Sequence, residues 1–352
     1  MSFERAPLRA VEAGGFPLVA PIPAEAGAAH EPSFAVVVAA YEAAATIAEA
    51  LESALAQTRP PQQVIVCDDG SRDATGEIAR GYGASVTVVR QENRGDAAAR
   101  NRALELATTS HVVVLDADDV LEPRCLEAYA AALVARPDLD IVTCDAFLES
   151  EGMIFDRYYR RVARFVVDDQ RRGVLHQHFI FGLAAIRREA LIAVGGWDER
   201  IPRNSDTDLF LRLVLAGSRA GLVHEPLARY RLRPGSLSSD RAAGMRTMVS
   251  IVERALREST LSEDERAYAL ADLRQKEKLT RLAELEHALR SGTPDRRARA
   301  LRVARAPALG YTARVRLEAY VSAALPVLGR TALRLRDRRH GVTPLRTRAR
   351  AG

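Results

Sequence analysis

The chain has 352 residues, 47% of them hydrophobic and 28% charged, enough apolar material for one sizeable core and a smaller second unit, which excludes a disordered chain. Its net charge of +5 is unevenly placed: residues 296 to 352 hold fifteen arginines against Glu318 and Asp337, leaving 5 − 13 = −8 for residues 1 to 295, so an acidic body carries a basic tail. Three cysteines, Cys67, Cys125 and Cys144, are odd in number and lack paired metal-site spacing, which argues against a disulfide framework or a zinc site and for a reducing compartment.

Residues 1 to 32 are rich in Ala, Gly and Pro without a sustained period and read as an irregular lead-in. They show no basic stretch followed by an apolar run, so no signal peptide is expected. A β-branched run from Phe34 to Ala39 predicts a strand, and Ile47, Leu51 and Leu55 on one face predict a helix from Thr46 to Gln57. The alternation continues with strands at 63–67, 85–90 and 111–115 and helices at 73–82 and 96–107. Repeated β-α units with apolar strands imply a doubly wound, mostly parallel α/β sheet, with ligands outside the carboxyl ends of the strands.

A helix from Pro123 to Ala135 and a strand from Ile141 to Cys144 follow, then a weakly patterned stretch to about Ile180. Strand and helix signals return at 181–194 and 206–216. From Asp240 onward the chain reads as helices, one opened by the capping box Ser262-x-x-Glu265 and another by Thr293-Pro294. The expected organisation is a lead-in (1–32), a catalytic domain (33–240) and a helical, basic C-terminal extension (241–352). The most apolar late segment, Ala319 to Gly329, contains Pro326 and is shorter than the roughly 20 residues of a spanning helix. Leu317, Tyr320 and Leu325 among arginines suggest an amphipathic surface, with a solvated face, an anionic-membrane contact and an oligomer interface as the readings.

The chemistry-bearing residues cluster just after strands. Asp68 and Asp69 precede a turn and can read a base or ribose or cap a helix. Asp116, Asp118 and Asp119 place three carboxylates in four residues, costly unless a cation neutralises them; Mg²⁺ or Mn²⁺ bound by one or two carboxylates plus phosphate oxygens does so. Gly95 lets the chain turn into a helix whose free amides attract an anion, with Arg94 and Arg100 adding positive charge, an arrangement suited to phosphate binding or to ordering an acidic loop. Asp206 and Asp208 start a helix, where capping and catalysis are both open. A Walker loop and a G-x-G-x-x-G motif are absent, which excludes P-loop kinases and dinucleotide dehydrogenases. A nucleotidyltransferase would need a glycine-rich segment with a lysine near the first strand, also absent. The acidic body and the lack of a recognition motif argue against nucleic acid.

From Phe34 to Ser238 the ordered set of motifs resembles the inverting glycosyltransferases of family 2, with the GT-A fold. The resemblance implies that Tyr41 and Glu42, at the end of the first strand, and Asp69 lie at the donor nucleobase, although the family's proline and asparagine are missing beside Tyr41. It implies that Asp116 and Asp118 are the D-x-D motif, Asp116 at ribose or metal and Asp118 at metal, with Asp119 in support. Ser205-Asp206-Thr207-Asp208 lacks the family's leading glutamate but keeps Asp206 at the position of the general base. Gly196, Trp197 and Asp198 would shape the donor-sugar and acceptor pocket, with a core role for Trp197 equally open. Tyr230-Arg231-Leu232-Arg233 matches an element that usually ends in histidine, and Arg233 would contact phosphate instead. The implied activity is transfer of a sugar from a nucleotide diphosphate donor, UDP-linked by family habit, to a hydroxyl acceptor of a glycan, a lipid-linked or a small molecule. The alternative is a non-catalytic nucleotide-sugar-binding or membrane-docking protein. The expected location is cytoplasmic, peripheral at the inner face of a membrane if the basic tail docks there.

Overall fold

A computed structural model describes residues 31–232, 241–291 and 296–305, with 315, 317 and 319. Contacts divide the described residues into two compact units, one built from 31–232 with 254–269, the other from 241–253 with the described residues from 270 onward.

In the first unit β1 (Phe34–Ala40), β2 (Gln63–Asp68), β3 (Thr87–Arg90) and β4 (His111–Val114) alternate with helices α1 (Ile47–Leu55), α2 (Thr75–Arg80) and α3 (Asp96–Leu106). The four strands pair in parallel in the order β3-β2-β1-β4. Alternate side chains of β1 leave on opposite faces of the sheet. Phe34, Val36 and Val38 join Ile47, Leu51 and Ala54 of α1 in the main core. Ala35 and Val37 are buried as well, and α3 packs on β1 and β2 while contributing nothing to that cluster, which places it on the other face. Burial on both faces explains why β1 reads as a continuous apolar run rather than an alternating one.

Beyond β4 come β5 (Val120–Leu121), α4 (Cys125–Ala135), β6 (Ile141–Ser150), β7 (Met153–Arg157), α5 (Tyr158–Arg161), α6 (Gln170–His176), β8 (Ala184–Arg187), α7 (Arg188–Ala193), α8 (Ser205–Leu215) and β9 (Ala220–Arg231). The sheet runs β3-β2-β1-β4-β8-β6-β9-β5, with β7 pairing β6 at its end. β8 is antiparallel to both β4 and β6, and β6 is parallel to β9. The carboxyl ends of β1, β2, β3, β4, β6 and β9 therefore share one edge, and the amino end of β8 points there too.

The doubly wound, mostly parallel sheet agrees with the sequence expectation, with three differences. β6 runs to Ser150 instead of stopping at Cys144, because β7 and β9 supply partners for the extra residues. The weakly patterned stretch to Ile180 folds as the β6–β7 hairpin and two short helices. The twelve-residue β9, interrupted in sequence by His224, Glu225 and Pro226, has no counterpart in the sequence reading.

All three cysteines are buried and free. Helices α9 (Arg241–Glu258) and α10 (Glu263–Ser291) contribute to both units, and α11 (Arg296–Ala304) belongs to the second. The capping box forms: Ser262 N donates to Glu265 Oε2 at 2.8 Å and Glu265 N to Ser262 Oγ at 3.1 Å. Glu265 also receives Arg171 Nε at 2.5 Å, which holds its carboxyl down at about 2. In the second unit Leu285, Ala300, Val303 and Ala319 form a small apolar cluster, and Glu284 pairs with Arg246 at 3.0 Å and Arg299 at 3.2 Å. Thr293-Pro294, and the apolar segment from Tyr320 onward, lie outside the described residues. Among the described residues no helix is long and apolar enough to cross a membrane.

Candidate functional site

The shared edge gathers the acidic segments. Asp69, buried at the end of β2, accepts from Gln91 Nε2 at 2.8 Å and Arg94 N at 2.9 Å through Oδ1, and from Gly95 N at 2.8 Å through Oδ2. Gly95, with φ of 93°, takes a backbone conformation that disfavours side chains at the start of α3. The anion drawn to these amides is thus the chain's own carboxylate, so of the two sequence readings for this loop the structure shows the ordering of an acidic segment. Arg94 directs its side chain to Glu199 at 2.6 Å. Asp68 accepts from Ser71 N at 2.9 Å and pairs with Arg90 at 2.7 Å.

Tyr41 stands 51% exposed at the end of β1. Beside it Glu42, at a φ of 50°, accepts from Arg72 N at 2.8 Å while its own N–H donates to Ser71 Oγ at 3.1 Å. Glu42 therefore ties the β1 loop to the β2 loop and leaves Tyr41 as the presented side chain.

Arg100 is buried and reaches three places from α3. Nη1 contacts Asp96 at 2.8 Å and Ser205 Oγ at 3.1 Å, and Nη2 contacts Asp116 Oδ1 at 2.7 Å. Burial opposes its charge, but Asp116 and Asp96 outweigh that and keep the guanidinium protonated. Rather than facing a phosphate, Arg100 is committed to carboxylates; it joins the acidic segment after β4 to the start of α8.

Within that segment Asp116 keeps 40% side-chain exposure. Asp119 is buried; its Oδ1 accepts from Arg231 N at 2.9 Å and its Oδ2 has no hydrogen-bond partner. Burial and the neighbouring Asp116 and Asp118 push the Asp119 carboxyl well above the usual carboxylate range. Arg231 in turn is clamped by Glu49 at 2.5 Å and Glu149 at 3.3 Å and reaches Asp118 O at 3.4 Å. An orphaned carboxylate oxygen among three clustered acids fits a divalent cation. Among the described residues no three acidic, His or Cys side chains converge as a preformed cage, and a cation carried by a diphosphate needs only one or two carboxylates.

At the start of α8, Asp206 keeps 37% side-chain exposure, with Oδ1 accepting from Thr207 N at 2.7 Å and Oδ2 lying 3.5 Å from His178 Nε2. Asp208 is instead fully buried and bonded by Arg212 Nε at 2.9 Å and by Arg254. The two acids of this element therefore part ways: Asp206 faces out and Asp208 holds the helix.

Trp197 is 2% exposed, so its ring offers no face to a sugar and the core reading holds. Its backbone is pinned by Asn101, which donates to Trp197 O at 2.8 Å and accepts from Trp197 N at 2.8 Å. Gly196 packs on the same asparagine and gives its carbonyl to Arg212 Nη2 at 2.8 Å. Asp198 is enclosed by Arg200 and Arg254, which hold its carboxyl far below its ordinary range. These three residues brace the loop before α8. Arg233 lies outside the described residues. The sequence does not single out Arg231 or His178: Arg231 stands inside the Tyr230–Arg233 motif without a role of its own, and His178 carries no local signal.

Comparison with known proteins bears on the family and the fold. The family model described as "Glycosyl transferase family 2" matches residues 35–195. Bacillus subtilis "Putative glycosyltransferase EpsE" is 30% identical over 210 residues, covering 57% of this chain and 73% of the relative. The Rhizobium meliloti "Succinoglycan biosynthesis protein ExoU" is 30% identical over 253 residues, covering 66% and 72%. Among solved structures, S. aureus TarS 1-349 in complex with UDP-GlcNAc superposes with a TM-score of 0.60 at 18% identity, covering 88% of this chain and 92% of that one. The mannosyltransferase PcManGT from Pyrobaculum calidifontis, in complex with GDP-Man and Mn²⁺, does so with a TM-score of 0.55 at 23% identity, covering 88% of each. These likenesses identify the fold as GT-A.

Proposed function

The chain belongs to glycosyltransferase family 2, and from that premise we propose that it transfers a sugar, with inversion, from a UDP-linked donor to an acceptor hydroxyl with the aid of Mg²⁺ or Mn²⁺. The observation that carries this reading is Arg100, which bonds Asp116 on one side and Ser205, next to Asp206, on the other. The acidic segment after β4 and the helix start that carries Asp206 are thus joined through one guanidinium.

In this reading Tyr41 presents its ring to the nucleobase, while Asp69 holds the Arg94–Gly95 turn. Asp116 and Asp118 would hold the cation, and Arg231 and Arg100 keep Asp119 and Asp116 in place around it. A cation held by these carboxylates would supply stabilisation of the charge on the departing nucleoside diphosphate. Asp206 accepts the proton of the acceptor hydroxyl as that oxygen attacks the anomeric carbon from the face opposite the leaving group. Inversion needs no protein nucleophile. Similar folds that hold UDP-GlcNAc, or GDP-Man with Mn²⁺, support a nucleotide-sugar donor and a divalent cation. For the basic tail, residues 296 to 352, an anionic membrane surface is one of three readings beside a solvated face and an oligomer interface, and flotation with anionic liposomes before and after truncation at 295 tests it.

The test of function is a panel of nucleotide sugars scored for nucleotide release with Mn²⁺ or Mg²⁺, comparing the native chain with Asp118→Ala and Asp206→Asn. Cation-dependent release from one donor, lost in both variants, is the expected result. A native rate in either variant overturns the assigned role of that residue.

A further inference from the structure

The two oxygens of Asp206 have different surroundings. Oδ1 is taken by the N–H of Thr207 at 2.7 Å, and Oδ2 faces His178 Nε2 at 3.5 Å. The same imidazole is held at its other nitrogen, with Nδ1 3.0 Å from Thr207 Oγ1. Its ring is tilted against Phe210, centroids 6.1 Å apart, and is followed in the chain by the buried Phe179 and Ile180. His178 is thus fixed by packing and by a hydroxyl, with one nitrogen turned to the carboxylate.

A threonine hydroxyl can donate to Nδ1, and a neutral imidazole that accepts at Nδ1 carries its proton on Nε2. The atom facing Asp206 is then a donor. Thr207 Oγ1 lies 3.5 Å from Asp206 Oδ1 but 3.0 Å from His178 Nδ1, so the shorter contact favours donation to Nδ1 and with it the tautomer that addresses Oδ2. A separation of 3.5 Å is long for a hydrogen bond, and such contacts tighten when substrate closes the site. We propose that His178 is a positioning residue for Asp206, donating from Nε2 to Oδ2 so that the carboxylate keeps one orientation towards the acceptor hydroxyl. This rests on the assignment of Asp206 as the base. Arg100 and Tyr158 also lie close enough to feel the Asp206 charge, and they share in its electrostatics without setting its rotamer.

The test uses nucleotide release to water from the donor that the native chain cleaves, together with imidazole nitrogen NMR of the full chain. His178→Ala should lower kcat by about 10-fold or more with donor KM nearly unchanged, as loss of a group that orients another typically does. His178→Gln, whose amide nitrogen can reach Oδ2, should recover most of the rate, and Thr207→Ser should keep more of it than Thr207→Val. In an Asp206→Asn background, His178→Ala should cost less than about 2-fold, because the two act as a unit. NMR should show the Nε2–H tautomer of His178 in the native chain and its loss in Thr207→Val. An unchanged kcat in His178→Ala, no recovery with Gln, or the Nδ1–H tautomer overturns the role of His178 alone. A native rate for Asp206→Asn overturns the assignment of Asp206 and this inference with it.

Discussion

Arg100 Nη2 lies 2.7 Å from Asp116 Oδ1, so a cation built into the buried side of α3 already offsets part of the charge of the acidic segment after β4. The arrangement needs the forked guanidinium, because Nη1 is occupied at the same time by Asp96 and Ser205. Arg100→Ala is expected to destabilise the first unit by about 2 kcal/mol, a value kept below that of a fully buried pair because Asp96 and Asp116 remain partly exposed. Arg100→Lys should recover little, since a point charge cannot serve both directions. Urea unfolding of the three proteins checks this.

Cation binding can be read without an acceptor. With Mn²⁺ and UDP at about 100 times their dissociation constant, the native chain should gain roughly 2.7 kcal/mol and several degrees in Tm. Asp118→Ala should show almost none of that gain in the same thermal scans. An equal shift in both proteins would remove Asp118 from the cation site.

Gly196 has a φ of 67°, and a Cβ there would lie 2.5 Å from Asn101 Oδ1. That oxygen is the acceptor for Trp197 N, so the asparagine cannot move aside without losing its grip on the loop. Gly196→Ala should therefore cost about 2–4 kcal/mol, combining backbone strain with overpacking. A urea midpoint within error of the native one would show that the loop relaxes freely.

His111 lies in β4 with Nδ1 at 2.9 Å from Ser110 Oγ and no partner for Nε2. Burial, helped by Arg187, lowers its pKa from 6.5 to about 4. Between those values the unfolded chain binds more protons than the folded one, so the stability held above pH 6.5 is lost as the pH falls towards 4. The expected loss is on the order of 2–3 kcal/mol, and His111→Asn should flatten that part of the profile. Unfolding free energies at a series of pH values across this window decide the matter.

Much of this protein is local in origin. The β-branched runs of β1, β2 and β4, the periodic helices between them and the carboxylates that follow each strand are short-range patterns. A parallel sheet turns them into a shared edge. β9 was hidden because Pro226 and two polar neighbours break its run; it is held by pairing to β6 on one side and β5 on the other, a stabilisation that no window of sequence contains. The same holds for Arg231, whose site role comes from Glu49, Glu149 and Asp119, each far from it in the chain.

What the sequence alone determined, then, is the α/β order, the positions of Tyr41, Asp69, Asp116, Asp118 and Asp206 after their strands or at a helix start, and the capping box of α10. Those features depend on neighbours within a turn or a strand. Only the tertiary structure decided which polar group faces out and which is consumed. It buried Trp197 against Asn101, spent Asp208 on Arg212 and Arg254, and set His178 against Asp206. The reason is physical: burial penalises a charge or donor left without a partner, and the partners available at a given place are chosen by packing between segments distant in the chain.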